Sequence, residues 1–196
     1  MAVSNPRHLS ETYVIAIAGG SGSGKSTLAD ALVSEIGSSF ATVLTVDAYY
    51  HDLAHLSLSA REQTNFDHPD ALDLALFEQH VLALKRGQTI QQPCYDFETH
   101  CRQAQTIEMI PRKWIVVEGI LVTATASLRD LYDQVIYVEA DSTVRWQRRL
   151  QRDQRDRGRD EASIERFWAR AEETFMTQGS MASQHADLVI SGEQTL

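Results

Sequence analysis

The chain has 196 residues, 43% of them hydrophobic and 23% charged, with a formal net charge of −9. These are globular proportions, and they exclude a disordered tail, a collagen-like chain and a simple coiled coil. The acidic balance is a poor default for wrapping a nucleic-acid backbone.

Residues 1–12, MAVSNPRHLSET, lack the apolar stretch of a secretory signal. No apolar run approaches the roughly 18 residues of a membrane span. Two cysteines, Cys94 and Cys101, match neither a zinc pattern nor a CxxC pair, so a reducing cytoplasm is the expected location. In chain order, YVIAIA at 13–18 is a short apolar run followed at once by glycines, the pattern of a buried parallel strand. Leu28, Ala31, Leu32 and Ile36 then recur at helical spacing and predict a helix over 25–36. TVLTV at 42–46 reads as a second strand ending at Asp47, and 70–85 as a helix with Leu72, Leu76, Leu82 and Leu84 among its apolar positions. TIQQP and TIEMIP flank the polar YDFETHCRQ and predict a β-hairpin insertion over about 88–111. WIVVEG at 114–119, VIYVEA at 135–140 and ADLVI at 186–190 bring the strands to five. Strands alternating with helices predict an α/β fold, a five-stranded parallel sheet flanked by helices, in a single domain over 1–196.

The strongest motif is GGSGSGKST at 19–27, which fits GxxxxGK[ST]. Gly19, Gly20, Gly22 and Gly24, with Ser21 and Ser23 between them, let the backbone curl so that successive N–H groups face phosphate oxygens. The helix that starts near Lys25 adds its positive dipole end. Lys25 is expected to reach the β- and γ-phosphates, the Ser26 hydroxyl to ligate Mg²⁺, and Thr27 to add a phosphate contact. The motif predicts binding of a nucleoside triphosphate without distinguishing kinase, GTPase and ATPase.

Ligands of open α/β sheets sit beyond the C-terminal strand ends, and two acids fall there. Glu118 in WIVVEG fits the acid that serves Mg²⁺, which leaves Asp47 free to accept a proton from an acceptor hydroxyl. Seven of the fifteen arginines lie between 145 and 159: Arg145, Arg148, Arg149, Arg152, Arg155, Arg157 and Arg159. With Gly158 in RGRD they predict helix, arginine-rich lid (about 149–162), helix, suited to the charge of a moving phosphoryl group. A solvated, salt-bridged helix face is the alternative, most so for Arg145, Arg148 and Arg155.

NFDHPDALD at 65–73 and CYDFETHCR at 94–102 mix aromatic, carboxylate and imidazole groups. Phe66, Tyr95 and Phe97 can stack on a flat ring, Asp67 can accept two hydroxyl protons, and His100 can bond a base edge. Composition alone favours the aromatics as core, with His68 and His100 on the surface. His51 and His55 in HDLAH have no third ligand nearby and read as surface residues.

GGSGSGKST, DAYY at 47–50, NFDHPDALD, YDFETH followed by Arg102, VVEGIL and RGRD occur in an order and at intervals that resemble the uridine kinase (uridine/cytidine kinase) family of P-loop kinases, over roughly 13–190. The resemblance implies a P-loop kinase fold with ATP or GTP as donor, Mg²⁺, a pyrimidine nucleoside as acceptor, and a homotetramer, with no nucleic-acid or membrane partner. It implies Asp47 as catalytic base on the 5′-hydroxyl and Tyr50 as an aromatic near the acceptor. Asp67 and Arg159 match groups holding the ribose hydroxyls, Tyr95 and His100 groups reading the pyrimidine edge, and Phe66 and Phe97 the stacking walls. Ser26 and Glu118 match the Mg²⁺ site, while Arg149, Arg152 and Arg157 match lid arginines beside the transferred phosphate. Two places depart from the family's pattern: Phe167 stands about where a lid-helix glutamine is usual, and ISGEQTL replaces a Pro-Arg-Gly ending near the donor base. Competing readings are a related kinase with another acceptor, a nucleotide-binding module without turnover, and nucleic-acid binding through the arginines.

Overall fold

A computed structural model describes residues 12–193. The absence of a leader in MAVSNPRHLSE, and the last three residues of the ISGEQTL ending, lie outside the described residues. In chain order the elements are β1 (Tyr13–Ala18), α1 (Lys25–Ile36), β2 (Ala41–Thr45), the short α2 (Leu58–Arg61), α3 (Leu74–Lys85), β3 (Ile90–Asp96) and β4 (Cys101–Met109). There follow β5 (Trp114–Glu118), the short α4 (Ala126–Arg129), β6 (Gln134–Glu139), α5 (Ser142–Arg157), α6 (Glu161–Thr174) and β7 (Leu188–Ser191).

Five strands form one sheet in the order β2-β5-β1-β6-β7, every neighbouring pair parallel. The period-2 alternation of β1 explains the layers. Val14, Ala16 and Ala18 face one side with Ile115, Val117 and Phe77, Val81 and Leu84 of α3. Ile15 and Ile17 face the other, with Val116, Ile136 and Val138, against Ala29, Leu28 and Leu32 of α1. Because both faces are covered, the strands need continuous apolar runs, which is what made them readable. β3 and β4 form a separate antiparallel hairpin.

Several boundaries differ from the sequence expectation. Asp47 is not the last residue of a strand: β2 stops at Thr45, and Val46–Tyr49 form a 3₁₀ turn. The third helix starts at Leu74, because Pro69–Ala71 make their own turn and Asp73 caps α3 by accepting from the Leu76 N–H. Much of the 149–162 segment, expected as a lid between two helices, is itself helical. α5 continues to Arg157, Gly158 turns in the left-handed region (φ 59°), and Asp160 caps α6. No helix among the described residues is long and apolar enough to cross a membrane.

Phe77 is fully buried and meets Tyr49 edge to face at 5.0 Å, so α3 carries the Asp47 turn on its apolar side. Phe77→Ala is expected to lower the free energy of unfolding in urea by about 3–5 kcal/mol. Unchanged unfolding would mean that the turn does not depend on this contact.

Candidate active site

The chain leaving β1 is bent by glycines. Gly19, Gly22 and Gly24 all have positive φ, and a Cβ at Gly22 would run into the Arg145 carbonyl. Lys25, the first residue of α1, is buried and folds back to donate from Nζ to the Gly20 carbonyl at 2.8 Å. Burial lowers its pKa, and the carboxylates of Glu118 and Asp47 oppose that shift. Ser26 and Thr27 lie exposed at the start of α1, and the Ser26 hydroxyl donates to Glu118 Oε2 at 3.3 Å. Burial, and then Asp47, push the Glu118 carboxyl up. A cleft of about 530 Å³ beside this turn is lined by Gly22, Gly24, Lys25, Ser26, Thr27, Arg148 and Arg152, and by Ile190–Glu193 across the way.

A second pocket opens on the other side of Ser21. Asp47, Tyr50, Phe66, Asp67, Tyr95, Phe97, His100, Arg149, Arg152, Arg157 and Arg159 all line it. The fold thus collects residues from the turn after β2, the 65–67 loop, the hairpin and the α5–α6 junction. Arg152 lines both clefts. Gly19, Gly20 and Glu118 line neither and shape the phosphate cradle from behind.

One arginine positions the hairpin. Arg102, opposite Tyr95 in the β3–β4 register, donates from Nε to the Tyr50 carbonyl at 2.7 Å. Its Nη2 donates to the Tyr49 carbonyl at 2.9 Å and lies 3.3 Å from Asp73 Oδ2. The hairpin is thereby tied to the turn that carries Asp47. Arg61, at the end of α2, holds the hairpin tip by donating to the Thr99 carbonyl at 2.7 Å and toward Cys101 Sγ at 2.9 Å.

His100 is buried, with the one positive φ (55°) among described non-glycine residues. Its ring stacks on Phe66 at 4.7 Å, nearly coplanar at 12°. Of the two readings of this segment, the structure therefore gives the pocket wall, not the surface. His68 remains half-exposed, and His51 and His55 are exposed. Burial, then Arg159 and Arg157, pull the His100 pKa down to about 4, so the imidazole is neutral at pH 7. The Tyr95 hydroxyl is buried in the same wall with no hydrogen-bond partner, and it can both donate and accept. Burial raises the Asp67 carboxyl, opposed by Arg149, whose Nη1 lies 4.0 Å away.

The arginines divide by role. Arg155 is exposed and pairs with its neighbour Asp156 at 2.6 Å. Arg148 donates to the Gly192 carbonyl at 2.8 Å, and Arg145 is buried against the phosphate turn. The remaining four gather on a carboxylate that the sequence analysis does not single out. The fully buried Asp153 lies 2.7 Å from Arg152, 3.4 Å from Arg159, 3.5 Å from Arg157 and 3.7 Å from Arg149. Its carbonyl also accepts from the Gly158 and Arg159 N–H groups. Burial pushes this carboxyl up, but Arg157, Arg152 and Arg149 outweigh it and hold the pKa below the usual value. Arg159 itself is pulled down to about 10 by burial and by Arg157, and stays charged. The i,i+4 spacing of Arg149, Asp153 and Arg157 was the available signal. Phe167, which also lines the pocket, lies under the guanidiniums of Arg159 at 4.3 Å and Arg170 at 4.9 Å.

Residues 14–195 match the family model described as Phosphoribulokinase / Uridine kinase family. Over 185 residues, 92% of this chain and 87% of the relative, the sequence is 38% identical to the uridine kinase of Shewanella sp. (strain ANA-3). It is 41% identical over 150 residues to the uridine kinase of Alkaliphilus metalliredigens (strain QYMF), covering 76% of this chain and 72% of that one. Among solved structures, the phosphoribulokinase from Rhodobacter spheroides superposes with a TM-score of 0.68 at 14% identity, covering 92% of this chain and 70% of that one. At that identity the likeness is one of fold.

Removing the charge of Asp153 strands four guanidiniums. Asp153→Asn is expected to lower stability at pH 7 by about 3–5 kcal/mol. The depressed pKa gives a pH signature. The stabilisation is present above the unfolded value near ~3.9 and is lost as pH falls through the lower folded value. Urea unfolding between pH 7 and pH 3 should therefore show a steeper acid loss in the wild type than in the variant. Parallel curves would remove Asp153 as the ionised centre of the cluster.

Proposed function

The chain belongs to the phosphoribulokinase/uridine kinase family, and we propose that it transfers the γ-phosphoryl group of ATP or GTP to the 5′-hydroxyl of uridine or cytidine. One observation carries the reading. A carboxylate (Asp47), a second carboxylate (Asp67), an aromatic–imidazole wall and four arginines converge on a single pocket next to the Lys25 turn.

In this reading the ring of a pyrimidine base lies against Phe66, Tyr95 and Phe97, with the Tyr95 hydroxyl and the neutral His100 at its polar edge. Asp67 and Arg159 hold the ribose hydroxyls, and Tyr50 backs the sugar. Asp47 accepts the 5′-hydroxyl proton as the oxygen attacks the γ-phosphorus. The bond from that phosphorus to the β,γ-bridging oxygen breaks, leaving ADP (or GDP) and UMP or CMP. Gly19–Gly24 and Thr27 cradle the triphosphate, Lys25 swings from the Gly20 carbonyl to phosphate oxygens, and Arg149, Arg152 and Arg157 neutralise the transferred group.

The residues present fit Mg²⁺. Ser26 and Glu118 offer two hard oxygen donors in contact with each other beside the Lys25 turn. That sparse set is what a cation completed by phosphates and water requires. When bound, Mg²⁺ supplies charge neutralisation on the β- and γ-phosphates.

The acceptor pocket has only about 40 Å³ open, against roughly 300 Å³ or more in ordinary ligand sites. Substrate entry therefore requires the α5–α6 junction, about 149–162, to open as a lid on a single kinase domain, with the β3–β4 hairpin as its insertion. A cytoplasmic location belongs to the same proposal and rests on the cysteine pattern, and a homotetramer rests on the resemblance alone.

The test is direct detection of the nucleoside monophosphate with ATP, Mg²⁺ and a panel of uridine, cytidine, purine ribosides and sugar phosphates. Preferred turnover of uridine or cytidine supports the proposal, and turnover of a sugar phosphate alone redirects it to another acceptor. Asp47→Asn should lower kcat by about 10²–10⁴-fold with little change in nucleoside affinity; unchanged kcat removes Asp47 as the base. Because His100 titrates near 4, the KM for uridine should stay flat from about pH 6 to 8 and rise below about pH 5. A rise centred on the unperturbed imidazole value would remove the neutral His100 from base recognition.

A further inference from the structure

Arg145 lies outside the proposed chemistry yet is one of the most constrained side chains in the molecule. It is 4% exposed, and its guanidinium grips Glu172 of α6 with both arms, Nη1 to Oε1 at 2.7 Å and Nη2 to Oε2 at 2.8 Å. Its Nε donates to the Ala140 carbonyl at 3.2 Å. The same group lies over the rings of Phe175 at 4.5 Å and Trp168 at 5.2 Å. On its other side stands the phosphate turn. A Cβ at Gly20 would come within 2.7 Å of Arg145 Nη1, and one at Gly22 would meet the Arg145 carbonyl. The guanidinium therefore sits against bare backbone of the turn and is bolted to α6 behind it.

Both ends of this contact do something. Gly20 supplies the carbonyl that holds Lys25 Nζ at 2.8 Å. A triphosphate that draws Lys25 away frees that carbonyl and repositions the Gly20–Gly22 backbone against Arg145. At the other end, Glu172 lies one helical turn beyond Trp168 and five residues beyond Phe167 on α6, and Phe167 lines the acceptor pocket. Arg149, one turn along α5 from Arg145, reaches toward Asp67 at 4.0 Å and lies over Trp168 at 5.8 Å. A bidentate pair transmits displacement because separating it leaves the buried Arg145 cation unpaired, although Glu172 keeps partial contact with solvent.

We propose that the Arg145–Glu172 pair couples the donor and acceptor sites, with Glu172 a positioning residue that carries occupancy of the phosphate turn to the Phe167 wall. Coupling between two binding sites is reciprocal. A bound triphosphate therefore tightens the acceptor site, and a bound acceptor tightens the donor site by the same factor.

The proposal rests on the acceptor reading above, and its test separates the two. Uridine affinity is measured by calorimetry with and without saturating Mg²⁺ and an ATP analogue with nitrogen at the β,γ bridge. In the wild type the analogue is expected to tighten uridine binding about five-fold or more. In Glu172→Gln that factor should fall to within two-fold of unity, while uridine binding to the nucleotide-free variant stays within about two-fold of wild type. A purely structural role would instead weaken both uridine affinities equally and leave the factor intact. Glu172→Asp keeps the charge but shortens the reach, and should retain part of the coupling; it also stands in if the glutamine variant does not fold. A coupling factor near unity in the wild type, or the same factor in wild type and variants, overturns the proposal. If the wild type binds no uridine at all, the acceptor reading fails, and the coupling is read without an acceptor. In a background with Trp114 and Trp146 replaced by Phe, so that Trp168 is the emitting residue, fluorescence should then change on adding the analogue to the otherwise wild-type protein and not to Glu172→Gln. An equal response in both proteins, or none in the wild type, overturns the proposal as well.

Discussion

A single buried carboxylate makes the chemistry of this fold physically possible. Phosphoryl transfer calls for several cations at one point, and four guanidiniums brought together without an anion repel one another strongly in a poorly solvated site. Asp153 resolves this by sitting at the centre of Arg149, Arg152, Arg157 and Arg159, fully buried. Its backbone carbonyl closes the Gly158 turn at the same time. One residue thus ends α5, reverses the chain into α6 and aims the arginines. The cluster keeps a net positive charge inside a chain whose overall balance is −9, so its field is local and directed at the clefts rather than spread over the surface.

The architecture separates two tasks. The parallel sheet presents the phosphate turn at the end of its central strand, β1, which is rigid because β5 and β6 pair on both sides. The hairpin presents the aromatic wall and stands apart from that sheet. Ile90, Tyr95, Phe97 and Met109 pack it against the main core, and polar contacts fix its aim: Arg102 to the Tyr49 and Tyr50 carbonyls, Arg61 to the hairpin tip. These are bonds to backbone carbonyls, so they fix the path of the Asp47 turn whatever its side chains do. The third component, α5–α6, lies across both. Its contacts are ion pairs, arginine–aromatic stacks and hydrogen bonds such as Arg170 to the Glu62 and Gln63 carbonyls, which a ligand can exchange more readily than close-packed apolar surface.

What could be read from the sequence follows the same division. The five strands announced themselves because burial on both faces demands unbroken apolar runs, and the phosphate turn because its geometry admits few residues besides glycine. Asp47 was placed at the right end of the sheet but on the wrong element, since nothing in VDAYY distinguishes a strand end from a 3₁₀ turn. The order helix, turn at Gly158, helix is legible in the arginine segment; that α5 runs on to Arg157, so that most of 149–162 is helical, is not, although Asp153 pairs with Arg149 and Arg157 at i,i+4. For His100 the composition favours the surface over the site. Its place in the wall is set by a left-handed backbone at the hairpin tip and by stacking on Phe66, neither of which is written locally. Arg145 looked like helix decoration, and its partner Glu172, 27 positions away, could not be inferred from spacing.

Phe167 shows how closure and selectivity come to depend on one position. The ring is wedged between the guanidiniums of Arg159 and Arg170 and faces His100 at 6.0 Å. An apolar ring there gives a ligand no hydrogen bond, so base recognition in the proposed reading falls on Tyr95 and His100. Each of those can either donate or accept. The ring still does what an amide would do less well. It seals the pocket against water and holds two cations over an aromatic face, where their charge is stabilised without being neutralised. A site meant to deliver a phosphoryl group to an alcohol and not to water gains from that exclusion. In the proposed reading, binding strength on the base is traded for dryness around Asp47, and the arginine that stacks on Phe167 is the same Arg159 that Asp153 holds in place.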